Sequence, residues 1–358
     1  MTAAPLRIAL IASARHPIRD PFAGGLEAHT WTLSKALSAR GHEVTVFAGP
    51  GSDPGLGVGV VEMPLRPVRF SEAARRDTSM VALQQMVEHH AYLQLMLDLS
   101  CGPARYDIVH NNSLHYLPVA IATALSVPLV TTLHTPPTPW LESAIQTSPN
   151  CPVRFSAVSD HTAAAWRHVV PTATVVRNGI DTQRWHPGPG GEELAWSGRI
   201  VPEKGAHLAI EAAQLAGRGL RLAGPIGDTE YFEARIRPRL DRSITYAGHL
   251  SQSDLCALVG SSAAAVVTPC WDEPYGLVIA EALACGTPVC GFARGALPEI
   301  VTEDCARLVS PGDCAALAKV VEPTIGLSRA DARRHAETFC SMEAMTRNYE
   351  HFYRTVAT

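Results

Sequence analysis

The length, composition and charge of the chain exclude several classes of protein. Its 358 residues exceed what one hydrophobic core usually holds, so two domains are expected. The net charge of −4, with no run of Lys and Arg, argues against a nucleic-acid partner. No apolar run approaches the roughly 20 residues that a membrane-spanning helix needs.

The cysteines indicate a reducing compartment. There are nine, an odd number, and none form a C-x2-C pair, which argues against both a disulfide framework and a zinc site. A cytoplasmic location is therefore expected. The apolar run from Ile8 to Ala14 is short and is followed by Arg15, so a buried parallel strand is a better interpretation than a secretory signal.

Short apolar runs alternate with helical patterns along the chain, which is typical of βαβ units and parallel sheets. We predict an α/β protein with two doubly wound, Rossmann-like domains in residues 1–185 and 192–340, joined by a Pro/Gly-rich linker in residues 186–191. Ligands of such folds bind at the carboxyl ends of the strands, which would line one cleft. The predicted strands are Arg7–Ile11, Glu43–Phe47, Val58–Met63, Ile108–His110, Leu129–His134, Arg154–Val158, Thr174–Val176, Leu194–Trp196, Leu220–Ala223, Ile244–Tyr246, Ala264–Thr268, Pro288–Gly291 and Arg307–Val309.

Two candidate sites lie in the first predicted domain. Gly24 and Gly25 precede a helical pattern, where they are either a plain N-cap turn or a place where the backbone approaches a phosphate or an acceptor closely. His134 ends an apolar strand and opens a Pro-rich loop. A lone histidine at such a position is either a hydrogen-bonded structural residue or part of a reacting centre.

The segment from Ser197 to Gly205 has the layout of strand, glycine loop, cation and helix. It contains Arg199 and Lys204, and Lys204 is one of only three lysines in the chain. A compact cation at this place suggests a phosphate contact. The alternative is a solvated loop with an ordinary charge pair, because short motifs are weak signals.

The segment from Pro269 to Glu281 carries two glutamates, Glu273 and Glu281, around the predicted start of a helix. Gly276 would let the unpaired amides of the first turn approach an anion. The two carboxylates would instead accept hydrogen bonds from hydroxyl groups. The apolar side chains expected to bury one face of this helix are Leu277, Val278, Ala280, Leu283 and Ala284.

Four motifs occur in one order: the Gly198-Arg199-x4-Lys204-Gly205 loop, the Glu273-x7-Glu281 pair, Asn178-Gly179-Ile180-Asp181 and Ala282–Val289. Together they resemble the retaining glycosyltransferases of family 4, which have the GT-B fold. The resemblance covers nearly the whole chain and is strongest from Asn178 to Asp313. It implies that residues 341–358 form a helix that crosses back to the first domain.

The resemblance also implies roles for the candidate residues. His134 would lie near the donor sugar, and Gly248, His249 and Leu250 would meet the nucleobase through the backbone. Glu273 would contact the sugar hydroxyls, with a covalent nucleophile as the alternative. Glu281 would accept hydrogen bonds from the ribose, with a surface glutamate as the alternative. Arg199, Lys204 and the amides of Gly276, Leu277 and Val278 would bind the diphosphate.

The sequence contains no Asp-x-Asp pair to hold a divalent metal, and two cations lie where such a metal would act. We therefore predict a metal-independent, retaining hexosyltransferase without a cofactor, which uses a nucleoside diphosphate donor, UDP-linked, and front-face displacement onto a hydroxyl group. Alternatives are a nucleotide-sugar epimerase, a phosphorylase or a noncatalytic nucleotide-sugar-binding partner. The acceptor, which the loops at Arg15–Gly25, Pro64–Ser79 and Thr135–Asn150 would select, stays open, as does the oligomeric state. The arginines between Arg66 and Arg76 are interpreted as a solvated face, in preference to a membrane contact.

Overall fold

The chain forms two parallel sheets. A computed structural model describes residues 4–66, 68–77, 79, 82–148 and 152–357. The predicted fold class is confirmed, and every predicted strand is present within a residue or two of its expected ends. The strands are β1 Arg7–Ile11, β2 Glu43–Ala48, β3 Gly59–Glu62, β4 Ile108–Asn111, β5 Leu129–Leu133, β6 Val153–Ala157, β7 Thr174–Val175, β8 Leu194–Ser197, β9 Leu220–Ala223, β10 Ile244–Tyr246, β11 Ala264–Val267, β12 Val289–Phe292 and β13 Ala306–Val309.

Helices cover the sheets. All four residues of β4, β11 and β12 are buried, as expected for strands that are packed on both faces. No helix among the described residues is both long and apolar enough to cross a bilayer. The helices are α1 Gly25–Ala39, α2 Glu72–Arg75, α3 Leu83–Ser100, α4 Leu117–Ala120, α5 Pro139–Thr147, α6 Asp160–Trp166, α7 Ala206–Leu215, α8 Thr229–Tyr231, α9 Gln252–Gly260, α10 Leu277–Ala284, α11 Leu297–Ile300, α12 Cys314–Ile325, α13 Arg329–Phe339 and α14 Met342–Ala357.

The order of strands in each sheet indicates where a ligand-binding crevice lies. The first sheet runs β3-β2-β1-β4-β5-β6-β7 and the second runs β10-β9-β8-β11-β12-β13, with every pair parallel. The order therefore reverses between β1 and β4 and again between β8 and β11. Loops at such reversal points diverge and leave a crevice beyond the carboxyl ends of the strands.

Helix α14 packs on the first sheet although it follows the second one. Tyr349 and Tyr353 are fully buried in a cluster with Ile8 of β1 and Leu33 of α1. The Glu350 carboxylate lies 2.6 Å from Arg40 Nε and 3.0 Å from His42 Nε2, which fixes the helix against the end of α1. The last helix therefore ties the two halves of the chain together.

The Pro/Gly-rich segment at 186–191 is not a free spacer. Gly188 N donates to Cys285 O at 3.0 Å, and Gly190 N donates to Gly260 O at 2.9 Å. The guanidinium of Arg329 donates to Gly188 O at 3.3 Å and to Gly260 O at 2.9 Å. This segment is therefore fastened to the second sheet and its helices.

Candidate active site

A cavity of about 400 Å³ lies between the two sheets and is lined from both sides. It contains the loops that follow β1 and β5 and those that follow β8, β10 and β11. Apart from Gly248, every residue that the sequence nominated for the site lies on its wall, although several are distant from one another in the sequence. These residues are Gly24, Gly25, His134, Arg199, Lys204, His249, Leu250, Glu273, Gly276, Leu277, Val278 and Glu281.

Helix α10 begins at the cavity. Gly276 is its N-cap and has a φ of 97°, in the left-handed region that favours glycine. The helix is buried on more sides than the one face expected, because Ile279 and Ala282 are also inaccessible while Leu277 and Val278 are only partly covered. Gly276, Leu277 and Val278, at the start of this packed helix, lie on the cavity wall, where the first amides of a helix can bind an anion.

The loop after β8 brings Lys204 to the same place. Lys204 ends a short 3₁₀ turn, and Gly205 follows with a φ of 67°. A Cβ atom on Gly205 would lie 1.9 Å from Thr268 O, so only glycine permits this loop to lie against the end of β11. That close approach sets Lys204 beside the loop that carries Glu273.

Lys204 and Glu273 form an ion pair. Lys204 Nζ lies 2.6 Å from Glu273 Oε2, and Trp271 Nε1 donates to the same oxygen at 2.9 Å. The Lys204 and Glu273 side chains are 22% and 15% exposed, so the pair is shielded from most of the solvent. Of the described residues, none donates to Glu273 Oε1. That oxygen is available to a hydroxyl group in the cavity.

The first domain supports the loop that carries Glu273. The hydroxyls of Ser159 and Thr162 donate to Pro274 O at 2.7 and 3.1 Å. The amides of Asp160 and His161, in the first turn of α6, donate to the Glu299 carboxylate at 2.9 and 2.6 Å. An acidic side chain at a helix N-terminus is electrostatically favourable, so α6 fixes this part of the cleft.

Arg199 differs from Lys204 in having no partner. Its side chain is exposed on the cavity wall, and its guanidinium makes no hydrogen bond or ion pair with any described residue. An unpaired cation in the same cavity as the N-terminus of α10 adds a local positive charge to that of the helix end. The arrangement suits an anionic ligand.

Glu281 lies one turn into α10 and is partly buried on the cavity wall. Burial, with a contribution from Cys256, raises the pKa of its carboxyl group to about 7. None of the described residues hydrogen-bonds to this carboxyl group. Its acceptor capacity is therefore unused, although the group costs free energy when it ionises.

A buried hydrogen-bond chain orients His134. Thr30 Oγ1 donates to Leu26 O at 2.8 Å, so it must accept from Asn112 Nδ2, which lies 2.7 Å away. Asn112 Oδ1 then faces His134 Nε2 at 2.7 Å and accepts the proton of that nitrogen. Burial holds the pKa of His134 well below its usual range, so the ring is neutral.

His249 contacts the first domain through its side chain. Its Nε2 lies 2.9 Å from Phe22 O, and Gln252 N donates to Asp20 Oδ1 at 2.9 Å. A Cβ atom on Gly25 would lie 3.2 Å from Leu277 Cδ1, so the domains also touch near α10. The cleft is therefore bridged at its rim by the loop that follows β1.

Sequence reasoning missed Asn112 as a residue of the site and assigned no role to Glu27, which it named only within the Gly24-Gly25-Leu26-Glu27 loop. Asn112 is fully buried directly after β4, and Glu27 is 5% exposed in the first turn of α1 on the cavity wall. The position of Asn112 at the carboxyl end of a central strand was a usable signal. The acidic residue two positions after Gly25 was another.

Each half of the chain matches a known family model. Residues 23–184 match the model described as Glycosyltransferase Family 4, and residues 191–325 match the model described as Glycosyl transferases group 1. The chain is therefore a glycosyltransferase, and it resembles the family 4 enzymes, whose model matches its N-terminal half. Its two facing Rossmann-like domains are the GT-B fold of that family.

Individual glycosyltransferases are similar over nearly their whole length. Glycogen synthase of Mycobacterium tuberculosis is 29% identical over 379 residues, covering 94% of this chain and 89% of that protein. The D-inositol 3-phosphate glycosyltransferase of Mycolicibacterium paratuberculosis is 27% identical over 416 residues, covering 99% and 92%. The structure of Anabaena Alr3699/HepE in complex with UDP-glucose superposes with a TM-score of 0.73 at 18% identity, covering 98% and 100%, which shows a shared fold.

Proposed function

We propose that this glycosyltransferase is retaining and metal-independent, and that it moves a hexose from a UDP-linked donor to a hydroxyl group by front-face displacement. The observation that carries the proposal is a cavity wall formed by three groups. They are Arg199, which has no partner among the described residues, the paired Lys204, and the N-terminus of α10. Cleaving a sugar–diphosphate bond builds negative charge on the departing phosphate. Fixed cations and amides that are already aimed at it stabilise that charge.

Donor binding would divide the Lys204–Glu273 pair between two parts of one ligand. The diphosphate attracts Lys204 Nζ, and a sugar hydroxyl donates to Glu273 Oε1, the oxygen that no described residue occupies. Trp271 Nε1 still donates to Glu273 Oε2 in this arrangement and stabilises the charge of the carboxylate, which makes it a weaker nucleophile. This supports a positioning role for Glu273 over a covalent one.

The proposed displacement balances without a protein base. The acceptor oxygen forms a bond to the anomeric carbon on the face from which the diphosphate leaves, and the carbon–phosphate oxygen bond breaks. The acceptor proton passes to the departing phosphate. Neutral His134 would add no positive charge beside the anomeric carbon, where positive charge develops.

The names of similar proteins support uridine and leave the acceptor open. The Anabaena protein was crystallised with UDP, UDP-glucose, and UDP and glucose, which favours a uridine donor here by shared fold. The two relatives compared above are named for glycogen synthesis and for D-inositol 3-phosphate. The acceptors implied by these names differ in charge, so they do not identify the acceptor of this chain.

The proposal is tested by incubating the purified protein with UDP-, ADP-, GDP- and dTDP-glucose and measuring the nucleoside diphosphate released. We expect release from UDP-glucose above the rates with the other three donors. Release from none of the four would contradict the proposed donor class. Faster release from ADP- or GDP-glucose would support the proposed reaction but show that uracil is not the preferred nucleobase.

Chelation should leave activity intact. Because Arg199 and Lys204 occupy the place where a metal would stabilise the phosphate, we expect turnover with excess EDTA to equal turnover without it. Added Mg²⁺ or Mn²⁺ should not raise the rate sharply. Loss of turnover in EDTA that either metal restores would refute metal independence.

Glu281→Gln should weaken UDP binding while stabilising the free protein at alkaline pH. With its pKa raised to about 7, Glu281 penalises folding only where it is ionised, so wild-type stability falls as pH rises from about 4.5 to 7. After allowance for its partial exposure, the variant should be more stable by about 1–3 kcal/mol at pH 8 and nearly equal at pH 5.

The same variant also tests whether the ionisation of Glu281 contributes to the pH dependence of UDP affinity. Ribose hydroxyls bind the ionised carboxylate better, so wild-type affinity should rise through pH 7 more steeply than that of Glu281→Gln. Comparing the two proteins removes the effect of phosphate titration, because the phosphate, whose second pKa is near 6, titrates in the same way with both. Exposed Glu211 supplies the control Glu211→Gln. Parallel pH profiles, measured by calorimetry, would remove Glu281 from the nucleotide site.

A further inference from the structure

Glu27 presents a buried carboxylate to the cavity from the first domain. It lies in the first turn of α1, is only 5% exposed and lines the cavity wall. Of the described residues, no other residue donates a hydrogen bond to its carboxylate. Burial raises the pKa of this carboxyl group. Ionising it therefore costs free energy that no hydrogen bond from another described residue offsets.

The surroundings of Glu27 leave its carboxylate open to a ligand. A Cβ atom on Gly24 would lie 3.2 Å from Glu27 Oε2, so the loop before α1 covers the carboxylate closely. The charged groups that act on it are His16 of the same domain and Arg199 of the opposite wall. Neither forms an ion pair with it. Buried acceptors are normally satisfied, so an unused one on a cavity wall indicates a missing partner.

Glu27 lies across the cavity from the groups assigned to the donor. Arg199, Lys204 and Glu281 all belong to the second domain, whereas Glu27 belongs to the first. If the donor occupies the second-domain wall, as in the proposed function on which this inference rests, the space beside Glu27 receives the acceptor.

The charges of the cavity select the kind of acceptor. Two of the cations on its wall are already paired, Arg15 with Glu88 and Lys204 with Glu273. A bound diphosphate would use Arg199 and, as proposed above, Lys204. A second phosphate would then face both the first phosphate and Glu27. Like charges that share one cavity of about 400 Å³ repel one another, and more strongly where the site is partly desolvated. An uncharged group with several hydroxyls meets no such repulsion and supplies the donors that a carboxylate needs.

We propose that Glu27 is an acceptor-binding residue, which accepts hydrogen bonds from neighbouring hydroxyls of an uncharged sugar or polyol. It positions the acceptor and does not take its proton, which goes to the departing phosphate. The site therefore favours an unphosphorylated acceptor over its phosphorylated counterpart.

The test is calorimetric titration of the UDP-saturated protein with glucose, maltose, myo-inositol and glucose 6-phosphate. We expect at least one uncharged probe to bind, and to bind more tightly than its charged counterpart. Glu27→Gln should weaken that binding by about 10-fold or more, as for loss of a hydrogen bond to a charged group. UDP affinity should stay within about 3-fold, because no nucleotide contact is changed.

Two controls keep the result interpretable. Glu43→Gln removes an exposed acid at the start of β2, away from the cavity wall, and should change neither affinity. Glu27→Asp retains the carboxylate and serves if Glu27→Gln fails to fold. It should bind the uncharged probe more tightly than Glu27→Ala does.

The outcomes distinguish this inference from the proposed function. Failure of the wild-type protein to bind UDP would overturn both. Normal UDP binding with no binding of any uncharged probe would overturn the inference alone. So would tighter binding of glucose 6-phosphate than of glucose, or equal probe affinity in wild type and the Glu27 variants.

Discussion

Replacing Lys204 with alanine is expected to lower kcat/KM for sugar transfer by about 10²–10³-fold, the usual loss when one preorganised charge-stabilising contact is deleted. Lys204 Nζ lies within an ion pair on the cavity wall, beside the N-terminus of α10. Removing it deletes a cation from the leaving-group site and leaves Glu273 as an unpaired, partly buried carboxylate. Both changes disfavour a bound diphosphate.

The control for this variant is Lys319→Ala, which removes an exposed lysine of α12 that is not on the cavity wall. Steady-state kinetics with UDP-glucose should show wild-type values for Lys319→Ala. Melting temperatures of both variants establish that each is folded. If kcat/KM of folded Lys204→Ala fell by less than a few-fold, Lys204 would not be a leaving-group contact.

Glu273→Gln is expected to lower transfer by about 10²-fold or more, because it removes a charged acceptor from the sugar and changes the partner of Lys204. Affinity for free UDP should not fall, since UDP carries no hexose. It should stay equal or rise several-fold, because the diphosphate no longer competes with Glu273 for Lys204 Nζ. Kinetics and calorimetry with UDP and UDP-glucose measure the two effects separately.

Asp272→Asn is the matched control for Glu273→Gln. Asp272 is the neighbouring carboxylate, but it pairs with Arg294 outside the cavity wall. Its neutralisation should leave both transfer and UDP affinity near wild type. If Glu273→Gln weakened UDP binding as much as Glu281→Gln does, the proposed division between sugar and ribose would be wrong.

The fold was predictable because its signals are local. Buried parallel strands appear in the sequence as short apolar runs, and each predicted run is a strand in one of the two sheets. The start of α10 was also predictable, since Gly276 precedes an apolar helical run. Small differences at the ends, such as β2 continuing to Ala48, reflect hydrogen bonding that propensity does not determine.

The contacts within the site were less predictable because they join distant loops. Lys204 and Glu273 are 69 residues apart, and their pairing depends on how closely Gly205 packs against β11. The contact between His249 and Phe22 spans 227 residues and two domains. Motifs identified which residues line the cavity, but not which of them touch.

The expected acceptor loops are only partly described. Thr78 lies in the predicted Pro64–Ser79 loop, and residues 149–150 lie in the predicted Thr135–Asn150 loop; these positions are outside the described residues, as is Cys151. The arginines at 66, 69, 75 and 76 are exposed, and Arg76 pairs with Glu72, consistent with a solvated face.

Retaining transfer from a nucleoside diphosphate sugar is tested most directly by time-resolved ¹H NMR of the purified protein with UDP-glucose in EDTA. Water serves as the acceptor, so no acceptor need be known. We expect UDP to appear together with α-glucose as the first anomer, before mutarotation, and both signals to be lost in Lys204→Ala. Appearance of β-glucose first, or release of UDP at the same rate from wild type and Lys204→Ala, would contradict the proposed mechanism.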